Sequence, residues 1–281
     1  MNNKCIICGH ISEKVVFKEF DIDILKCPNC GHVFSSYQIN PDFEEFFERN
    51  VMSDENFWWN EAHKRMYADF CNRYINGKNG RLLDVGSGLG YFVKTMATFP
   101  DWQTFGYDIS EIGTEFARNK LGLDNVFCGK VEESGFPKNH FDIITLWDVI
   151  EHIPNPDPLL SYLSSTLKDN GILFVHTPNV HVQLPKARLK KLFKGMRQGV
   201  SYLEATTHIN IYSMNTIKKL FSRNGFIKVE FVHLYPLQSM NGSKSPLLRS
   251  IKNSWFYFSK ALFTATLGRI NIDNLFMVAV K

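Results

Sequence analysis

Short apolar runs alternate with amphipathic segments from about residue 80 onward. Gly, Pro, Asn or Asp residues flank these runs, which is typical of buried strands, and apolar residues three and four positions apart predict helices between them. Strands alternating with helices imply parallel βαβ units, so we predict an α/β fold with a doubly wound, seven-stranded sheet and helices on both faces. The predicted strands are Arg81–Val85, Gln103–Tyr107, Asn125–Cys128, Phe141–Leu146, Ile172–His176, Phe226–Val232 and Leu275–Val280, and the predicted helices are Tyr91–Phe99, Glu111–Leu121, Pro158–Leu167 and Met214–Arg223.

Other segments differ from this alternating region. We predict a small β-rich module over residues 1–38 and an acidic, aromatic helical linker or lid over residues 39–78, which leaves residues 79–281 for the sheet domain. Within that domain we expect a basic insertion at about residues 183–206. A basic amphipathic helix is expected at about residues 246–267, where apolar side chains recur at helical spacing.

Two Cys-x-x-Cys pairs near the N-terminus predict a metal site. Cys5 and Cys8 form the first pair, Cys27 and Cys30 form the second, and a glycine follows each pair. Two residues between the cysteines let a tight turn direct both sulfurs at one ion, and glycine permits the positive φ of that turn. Four thiolates fill a tetrahedral shell, so we predict a structural zinc ribbon. A redox Cys-x-x-Cys is the alternative, but it would not require a second pair.

Charge is distributed unevenly along the chain, although the net charge is only +4. Residues 183–270 hold fifteen Lys and Arg residues against two acids, Glu204 and Glu230, and therefore carry +13. This excess indicates an anionic partner, or else a solvated basic face. No apolar stretch is long enough for a membrane span, and residues 1–4 lead into the first Cys pair without the apolar region of a signal peptide. We therefore expect a cytoplasmic enzyme.

The run Leu82–Gly90 joins a predicted strand to a predicted helix through Gly86, Gly88 and Gly90. Such a turn lets a ligand approach the backbone closely and presents the N-terminus of a helix to it. The spacing is Gly-x-Gly-x-Gly, whereas dinucleotide-binding loops have Gly-x-Gly-x-x-Gly. Asp84 precedes the first glycine, where a carboxylate disfavours a pyrophosphate and favours a cationic ligand.

Asp108 ends the second predicted strand, twenty-four residues after Asp84. A carboxylate at this position can accept hydrogen bonds from both hydroxyls of a ribose, as it does in NAD-binding folds. It therefore indicates a nucleoside cofactor without selecting which one. The alternative is that Asp108 caps the helix that follows it.

Several motifs, in order, resemble those of class I S-adenosylmethionine-dependent methyltransferases over about residues 57–235, in particular the ubiquinone-biosynthesis O-methyltransferase branch. This resemblance implies S-adenosylmethionine as the cofactor and a seven-stranded Rossmann-like sheet. The cysteine module is similar to the zinc ribbon of bacterial methyltransferases encoded with cell-surface polysaccharide or secondary-metabolite enzymes. The motifs that carry the resemblance are Leu83–Gly90, Gly106–Ser110, Phe136–Asp142, Trp147–Pro154, Gly171–Leu173 and Asn224–Phe226.

The same resemblance implies which residues bind the cofactor. The loop backbone from Gly86 to Gly88 would hold the methionine part, and Val131 and Glu132 would lie beside the adenine. Trp147 would line the pocket, and Arg65 would lie near the cofactor carboxylate. Trp58 and Trp59 would either form part of a lid or pack a helix against the core. The full set of implied cofactor-binding residues is Arg65, Asp84, Gly86, Ser87, Gly88, Gly90, Asp108, Ile109, Val131, Glu132 and Trp147.

Candidate catalytic residues follow the fourth predicted strand. On a helical turn Asp148, Glu151 and His152 would share one face, where they could bind a divalent cation such as Mg²⁺ or supply a general base. The resembling O-methyltransferases and small-RNA 2′-O-methyltransferases bind metal with a Glu-x-x-Glu-His run, in which Asp148 here replaces the first Glu. His208 is a further candidate for the site. The alternatives are that His152 acts as a lone base or that Glu151 and His152 only order the loop.

Together these features predict O-methylation of a small anionic or carbohydrate acceptor, such as a nucleotide-linked or lipid-linked sugar or a secondary metabolite. We expect the basic C-terminal helix either to lie on the inner surface of an anionic membrane or to pack against the sheet. RNA methylation is an alternative, because zinc ribbons and basic patches can bind nucleic acid, but the ribbon's lack of a dense Lys and Arg cluster disfavours it. A cofactor-binding scaffold with a decayed active site is the non-enzymatic alternative, and the intact Asp84, Asp108, Glu151 and His152 disfavour it.

Overall fold

The computed structural model describes residues 3–39, 43–51, 55–235 and 246–281, which form two sheets and their flanking helices. The strands are β1 (Val15–Glu19), β2 (Ile22–Lys26), β3 (Val33–Ser35), β4 (Gly80–Val85), β5 (Trp102–Asp108), β6 (Val126–Cys128), β7 (Phe141–Trp147), β8 (Leu167–Thr177), β9 (Asn210–Ile211), β10 (Lys228–Val232) and β11 (Leu275–Val280). The helices are α1 (Glu44–Val51), α2 (Glu55–Tyr74), α3 (Tyr91–Met96), α4 (Glu111–Leu121), α5 (Asp157–Thr166), α6 (Val180–Lys194), α7 (Met214–Arg223) and α8 (Pro246–Ala265).

The larger sheet has seven strands in the order β10-β11-β8-β7-β4-β5-β6. The strands from β4 to β8 pair in parallel, and β11 runs antiparallel to both of its neighbours. Helices cover both faces, so the central strands are apolar on both sides, with Leu82, Leu83 and Ile144 fully buried. The predicted seven-stranded Rossmann-like sheet is confirmed. Because its central strands are parallel, β4, β5, β7 and β8 end at the same edge, where ligands bind in such sheets.

The smaller sheet combines the N-terminal module with a distant part of the chain. Its order is β1-β2-β3-β9, and β9 pairs antiparallel with β3. The carboxylate of Glu19 accepts hydrogen bonds from the backbone amides of Tyr202, Leu203 and Ala205 at 3.2, 3.0 and 3.2 Å. The N-terminal module is therefore held against the basic insertion by buried hydrogen bonds as well as by apolar packing.

The basic insertion contains α6 and the loop after it. Arg188 and Lys191 donate hydrogen bonds to the backbone carbonyls of Val16 and Lys18 in β1, at 3.0 and 3.2 Å. Part of the positive charge in this region thus stabilises the contact with the N-terminal module. Lys186 and Lys194 lie on the same helix and are exposed.

Helix α8 packs one side against the segment that follows β10, where the buried His233 contacts Ser259 at 3.1 Å and the ring of Phe256. On its other side Trp255 and Phe258 are exposed. Within the described ranges no helix combines the length and the apolar character needed to cross a bilayer. The membrane contact of this basic helix stays a prediction.

Candidate active site

Four cysteines form a cluster in the N-terminal module. The sulfurs of Cys5, Cys8, Cys27 and Cys30 all lie within 4.8 Å of one another, and the Cys5–Cys30 and Cys8–Cys27 pairs are 3.5 Å apart. Four sulfurs around one zinc ion at about 2.3 Å stand about 3.8 Å apart, so the residues fit the predicted structural zinc. When bound, zinc would hold the two knuckles together and leave no open position for chemistry.

The glycine loop follows β4, at the carboxyl edge of the sheet. Gly86, Gly88 and Gly90 all adopt positive φ, at 73°, 51° and 80°. A Cβ at Gly86 would collide with the side chain of Val149, and one at Gly90 would stand 2.8 Å from the Cβ of Ala117. The loop therefore requires glycine for both its conformation and its packing.

Asp108 fixes this loop to the end of β5. Its carboxylate accepts the amide of Gly88 at 2.7 Å and the amide of Ser110 at 2.9 Å. The side chain of Ser110, not that of Asp108, caps α4 by accepting the amide of Gly113. Burial raises the pKa of Asp108 above its ordinary value, and the charge of Glu44 adds to this effect, although the two amide bonds oppose it.

Asp84 is fully buried between β5 and β7, where its carboxylate accepts a hydrogen bond from Thr145 at 2.7 Å. Burial raises the pKa of this carboxyl to about 8. The hydrogen bond from Thr145 lowers the pKa, and the charge of Asp108 raises it further. Asp84 is therefore largely protonated at pH 7 unless a cation lies beside it.

Helix α1 lies over both the glycine loop and the catalytic segment. The carboxylate of Glu44 accepts the hydroxyl of Ser110 at 2.9 Å and the amide of Glu111 at 2.7 Å, so it caps α4 from outside. The ring of Phe47 lies 3.3 Å from the position of a Cβ at Gly88, and the ring of Phe43 lies edge-on to His152 with centroids 5.1 Å apart. No sequence pattern pointed to these residues, because α1 reaches its partners across the fold.

The predicted shared face of Asp148, Glu151 and His152 is wrong. Asp148 has a φ of +53°, and a 3-10 turn begins only at Ile150. The Asp148 carboxylate therefore lies 3.0 Å from Nδ1 of the buried His176 and is not part of the group that Glu151 forms with His152 and His208. Burial raises the pKa of Asp148, but His176, with His63 and His152, outweighs it and holds that pKa below its ordinary value.

Glu151, His152 and His208 form the cluster instead, with their potential ligand atoms within 4.8 Å of one another. The Glu151 carboxylate accepts the hydroxyl of Thr177 at 2.9 Å, and its other oxygen has no hydrogen-bond partner among the described residues. Burial, with the charge of Asp148, raises the pKa of Glu151 well above its ordinary value. The cluster thus offers one buried carboxyl and two imidazoles at the end of β7.

His152 is held in one orientation. Its Nδ1 lies 2.9 Å from the carbonyl of Thr207. Because a carbonyl only accepts, Nδ1 carries the hydrogen and Nε2 is left as the acceptor. Burial, and then the charge of His208, lowers the pKa of His152 to about 4, so the ring is neutral at physiological pH.

The other predicted cofactor residues occupy different environments. Ile109, beside Asp108, is 58% exposed, Val131 is buried and Glu132 is exposed. Trp147 packs into the aromatic core against Phe174, with no partner for its Nε1 among the described residues. Arg65 is exposed on α2. The side chains of Trp58 and Trp59 lie outside the described part of the chain.

Comparisons with known proteins agree with this geometry. Residues 58–230 match the family model described as a methyltransferase domain. The ubiquinone biosynthesis O-methyltransferase of Neisseria meningitidis serogroup A is 31% identical over 159 residues, which is 52% of this chain and 66% of that protein. The protein of the same name from Coxiella burnetii is 30% identical over 50% of this chain and 64% of its own length. The match spans less than two thirds of either relative.

Solved structures share the fold at low sequence identity. Phosphoethanolamine N-methyltransferase 2 of Haemonchus contortus, solved with S-adenosyl-L-methionine, has a TM-score of 0.55 at 19% identity, over 86% of this chain and 60% of that one. A methyltransferase of Thermotoga maritima, described as a possible histamine N-methyltransferase, has a TM-score of 0.54 at 19% identity, over 84% and 99%. The predicted class of S-adenosylmethionine-dependent methyltransferase is confirmed. With its glycine loop, its seven-stranded sheet and the match over residues 58–230, the chain belongs to the methyltransferase domain family.

Proposed function

We propose that this methyltransferase transfers the methyl group of S-adenosylmethionine to a hydroxyl oxygen of a small acceptor, with His152 taking the proton. The observation that carries the proposal is the orientation of His152, whose Nδ1 bond to the Thr207 carbonyl at 2.9 Å leaves Nε2 free to accept. A hydroxyl acceptor must lose its proton when its oxygen is methylated, and the neutral imidazole of His152, fixed at the end of β7, can take that proton. The named O-methyltransferase relatives support the same acceptor atom.

The residues at the carboxyl edge fit the cofactor. Without Cβ atoms the loop glycines let a ligand approach the backbone closely, and the buried Ser87 hydroxyl has no hydrogen-bond partner among the described residues. Asp108 stands where a ribose would be bound, and Asp84 provides a carboxyl that a cation would ionise. When bound, S-adenosylmethionine would supply the electrophilic methyl group, and the protein would align the acceptor and exclude water.

The proton transfer requires only a weak base. A hydroxyl becomes strongly acidic as its oxygen forms the bond to the methyl carbon, so a neutral imidazole can take the proton late in the reaction even with a pKa near 4. Holding one ring nitrogen on Thr207 keeps the other directed away from the protein backbone. The imidazole therefore does not need to rotate before it accepts the proton.

A labelled-methyl experiment tests this function. The enzyme is incubated with S-adenosylmethionine carrying ¹³C in the methyl group and with panels of phenols, sugars, nucleotide sugars and RNA, and the product methyl is observed by NMR. An O-methyl resonance from a small acceptor is expected. An N-methyl or C-methyl product, or transfer to RNA alone, would contradict the proposal.

The affinity for S-adenosylmethionine should rise with pH up to about 8. Asp84 is protonated below that pH in the free protein, and a cationic ligand favours its ionised form, so binding at pH 7 must release a proton. Affinity then increases by up to about tenfold per pH unit between pH 6 and 8. Titration calorimetry in buffers of different ionisation enthalpy measures the proton release, and Asp84→Asn should abolish it. Equal affinities at pH 6 and 8 would show that Asp84 is not ionised by the cofactor.

A divalent cation in the Glu151, His152 and His208 cluster is the second candidate, because Glu151 keeps a buried oxygen without a partner among the described residues. Two imidazoles and one carboxyl favour a transition metal over the Mg²⁺ expected from the sequence. When bound, such an ion would polarise the acceptor hydroxyl.

Mild chelation separates this candidate from a lone base. If the cluster holds an ion, a chelator should lower turnover at least about tenfold and Mn²⁺ should restore it. Zinc is quantified in the same samples by mass spectrometry, so that loss from the cysteines is not mistaken for loss from the cluster. Unchanged turnover at unchanged zinc content would exclude a catalytic ion.

The acceptor is proposed to be anionic or a carbohydrate, on the basis of the charge of +13 over residues 183–270. Because Arg188 and Lys191 already contact carbonyls of β1, the exposed Lys186 and Lys194 are the cations to test. Lys186→Glu with Lys194→Glu should raise KM for a phosphate-bearing acceptor about tenfold and leave the cofactor affinity unchanged. Lys94→Glu with Lys120→Glu, on other helices, is the matched control. Equal KM values in both double variants would contradict an anionic acceptor at α6.

A further inference from the structure

One short segment connects the cysteine module to the catalytic turn. Within β9, Asn210 pairs with Phe34 and Ile211 with Val33, and just before it the carbonyl of Ile209 accepts the amide of Ser35 at 2.9 Å. The segment 205–211 thus contains β9, which is the fourth strand of the cysteine module's sheet, and the residues that lead into it. It is at the same time the segment that carries Thr207 and His208.

The side chain of Asn210 contacts both modules. It is fully buried, its Oδ1 lies 3.0 Å from Nε2 of His32, and its Nδ2 donates to the carbonyl of Ile153 at 2.8 Å. His32 closes the second cysteine knuckle, because its carbonyl accepts the amide of Cys27 at 2.8 Å. Ile153 is the residue directly after His152. Two hydrogen bonds, His32–Asn210 and Asn210–Ile153, therefore connect the second cysteine knuckle to the backbone of the catalytic turn.

The same segment also orients His152 directly, through the bond from its Nδ1 to the Thr207 carbonyl. The carbonyl of Ala205 accepts the hydroxyl of Ser35 at 2.6 Å, so Thr207 lies between two attachments to β3. A shift of β3 would displace Thr207, His208 and Asn210 together. Buried hydrogen bonds of this kind hold their partners in one arrangement because breaking them leaves polar groups unsatisfied.

We propose that Asn210 is a positioning residue, through which the cysteine module sets the backbone of the catalytic turn. This inference rests on the proposed role of His152, because Asn210 would act only by holding the turn that carries His152. It assigns Asn210 no contact with substrate or cofactor. The cysteine module then serves the reaction without taking part in it, and cofactor binding is left to the glycine loop and Asp108 of the larger sheet. The chain Cys27–His32–Asn210–Ile153 is the physical link.

The test compares Asn210→Ala with Asn125→Ala in zinc-loaded protein. Asn125 also donates one hydrogen bond to a backbone carbonyl, that of Thr104 at 2.7 Å, but it lies beside β6 in the larger sheet. Amide hydrogen exchange is measured by mass spectrometry over residues 148–154 and 205–212, together with zinc content and the Kd for S-adenosylhomocysteine. With the acceptor found by the labelled-methyl screen, kcat and KM are also measured.

For Asn210→Ala we expect exchange over residues 148–154 to accelerate at least about tenfold and kcat to fall about thirtyfold, with cofactor Kd and zinc content within about twofold of wild type. Asn125→Ala should change neither exchange at these residues nor kcat. Exchange and kcat in Asn210→Ala equal to those of the control would overturn the inference. If Asn210→Ala does not fold, Ser35→Ala removes the bond to the Ala205 carbonyl, together with a local bond from the Tyr37 amide, and should show the same changes in smaller measure.

The outcome is separable from that of the proposed function. If His152 is not the base, His152→Ala retains its kcat while Asn210→Ala still loosens residues 148–154. If the positioning role is wrong, His152→Ala loses activity while exchange in Asn210→Ala matches the control. Neither pattern can be mistaken for the other.

Discussion

Asp108→Ala is expected to weaken the binding of S-adenosylhomocysteine at least about 100-fold, a loss of about 2.8 kcal/mol. The carboxylate accepts two backbone amides, from Gly88 at 2.7 Å and from Ser110 at 2.9 Å, so its removal loosens the glycine loop at Gly88, although the amides of Gly86 and Ser87 still bond to β5. Each hydrogen bond to a charged group contributes about 1.5–3 kcal/mol, and the ribose would lose its acceptor as well. Titration calorimetry measures the change directly.

Stability should change much less than affinity in this variant. Burial and the neighbouring Glu44 raise the pKa of Asp108, so the folded protein holds its charge at a cost that alanine removes. Asp142→Ala is the matched control, because Asp142 also accepts a backbone amide, from Arg81 at 2.8 Å, but at the opposite edge of the sheet. Asp142→Ala should retain full cofactor affinity. An Asp108→Ala protein that binds as tightly as this control would remove Asp108 from the cofactor site.

The sequence predicts the sheet well because its signals are local. The helices Glu111–Leu121 and Met214–Arg223 and the strand Leu275–Val280 have the predicted boundaries, since apolar periodicity and the flanking turn residues lie within each element. The strand Asn210–Ile211 was not predicted. Two residues carry no periodicity, and this strand exists because β3 offers it a partner from far away in the chain.

In the candidate site, too, the residues set by local sequence were predicted and those set by the tertiary fold were not. The glycines and Asp108 follow from spacing, because a strand that ends in a glycine turn fixes their place. The expected face of Asp148 and Glu151 assumed a helix, and a single positive φ at Asp148 turns that carboxylate toward His176 instead. Glu44 and Asn210 could not be predicted, because each acts on a residue that only the tertiary fold brings near.

His152→Ala is expected to lower kcat by about three orders of magnitude, within the range of about 10²–10⁴ for a general base, and to leave the Kd for S-adenosylhomocysteine unchanged. The side chains next to Gly86 and Gly88 are those of Val149 and Phe47, so we expect cofactor binding not to depend on the His152 ring. His152→Gln can still donate to the Thr207 carbonyl while lacking the basic nitrogen, and it should be as slow as alanine. Recovery of activity in the Gln variant would show that the ring serves only to order the turn.

The pH profile of kcat and the His208→Ala variant together distinguish a lone base at His152 from a metal ligand. Burial and His208 lower the pKa of His152 to about 4, so the ring is neutral above about pH 5. We therefore expect kcat to fall only below about pH 5, and not near pH 6.5. His208→Ala removes one cause of the lowering, so the acidic limb should move upward while kcat at pH 8 falls less than about tenfold. If the cluster instead binds a catalytic ion, His208→Ala must be about as slow as His152→Ala, because both imidazoles are then ligands. A lone base therefore predicts unequal variants, and a metal predicts equal ones.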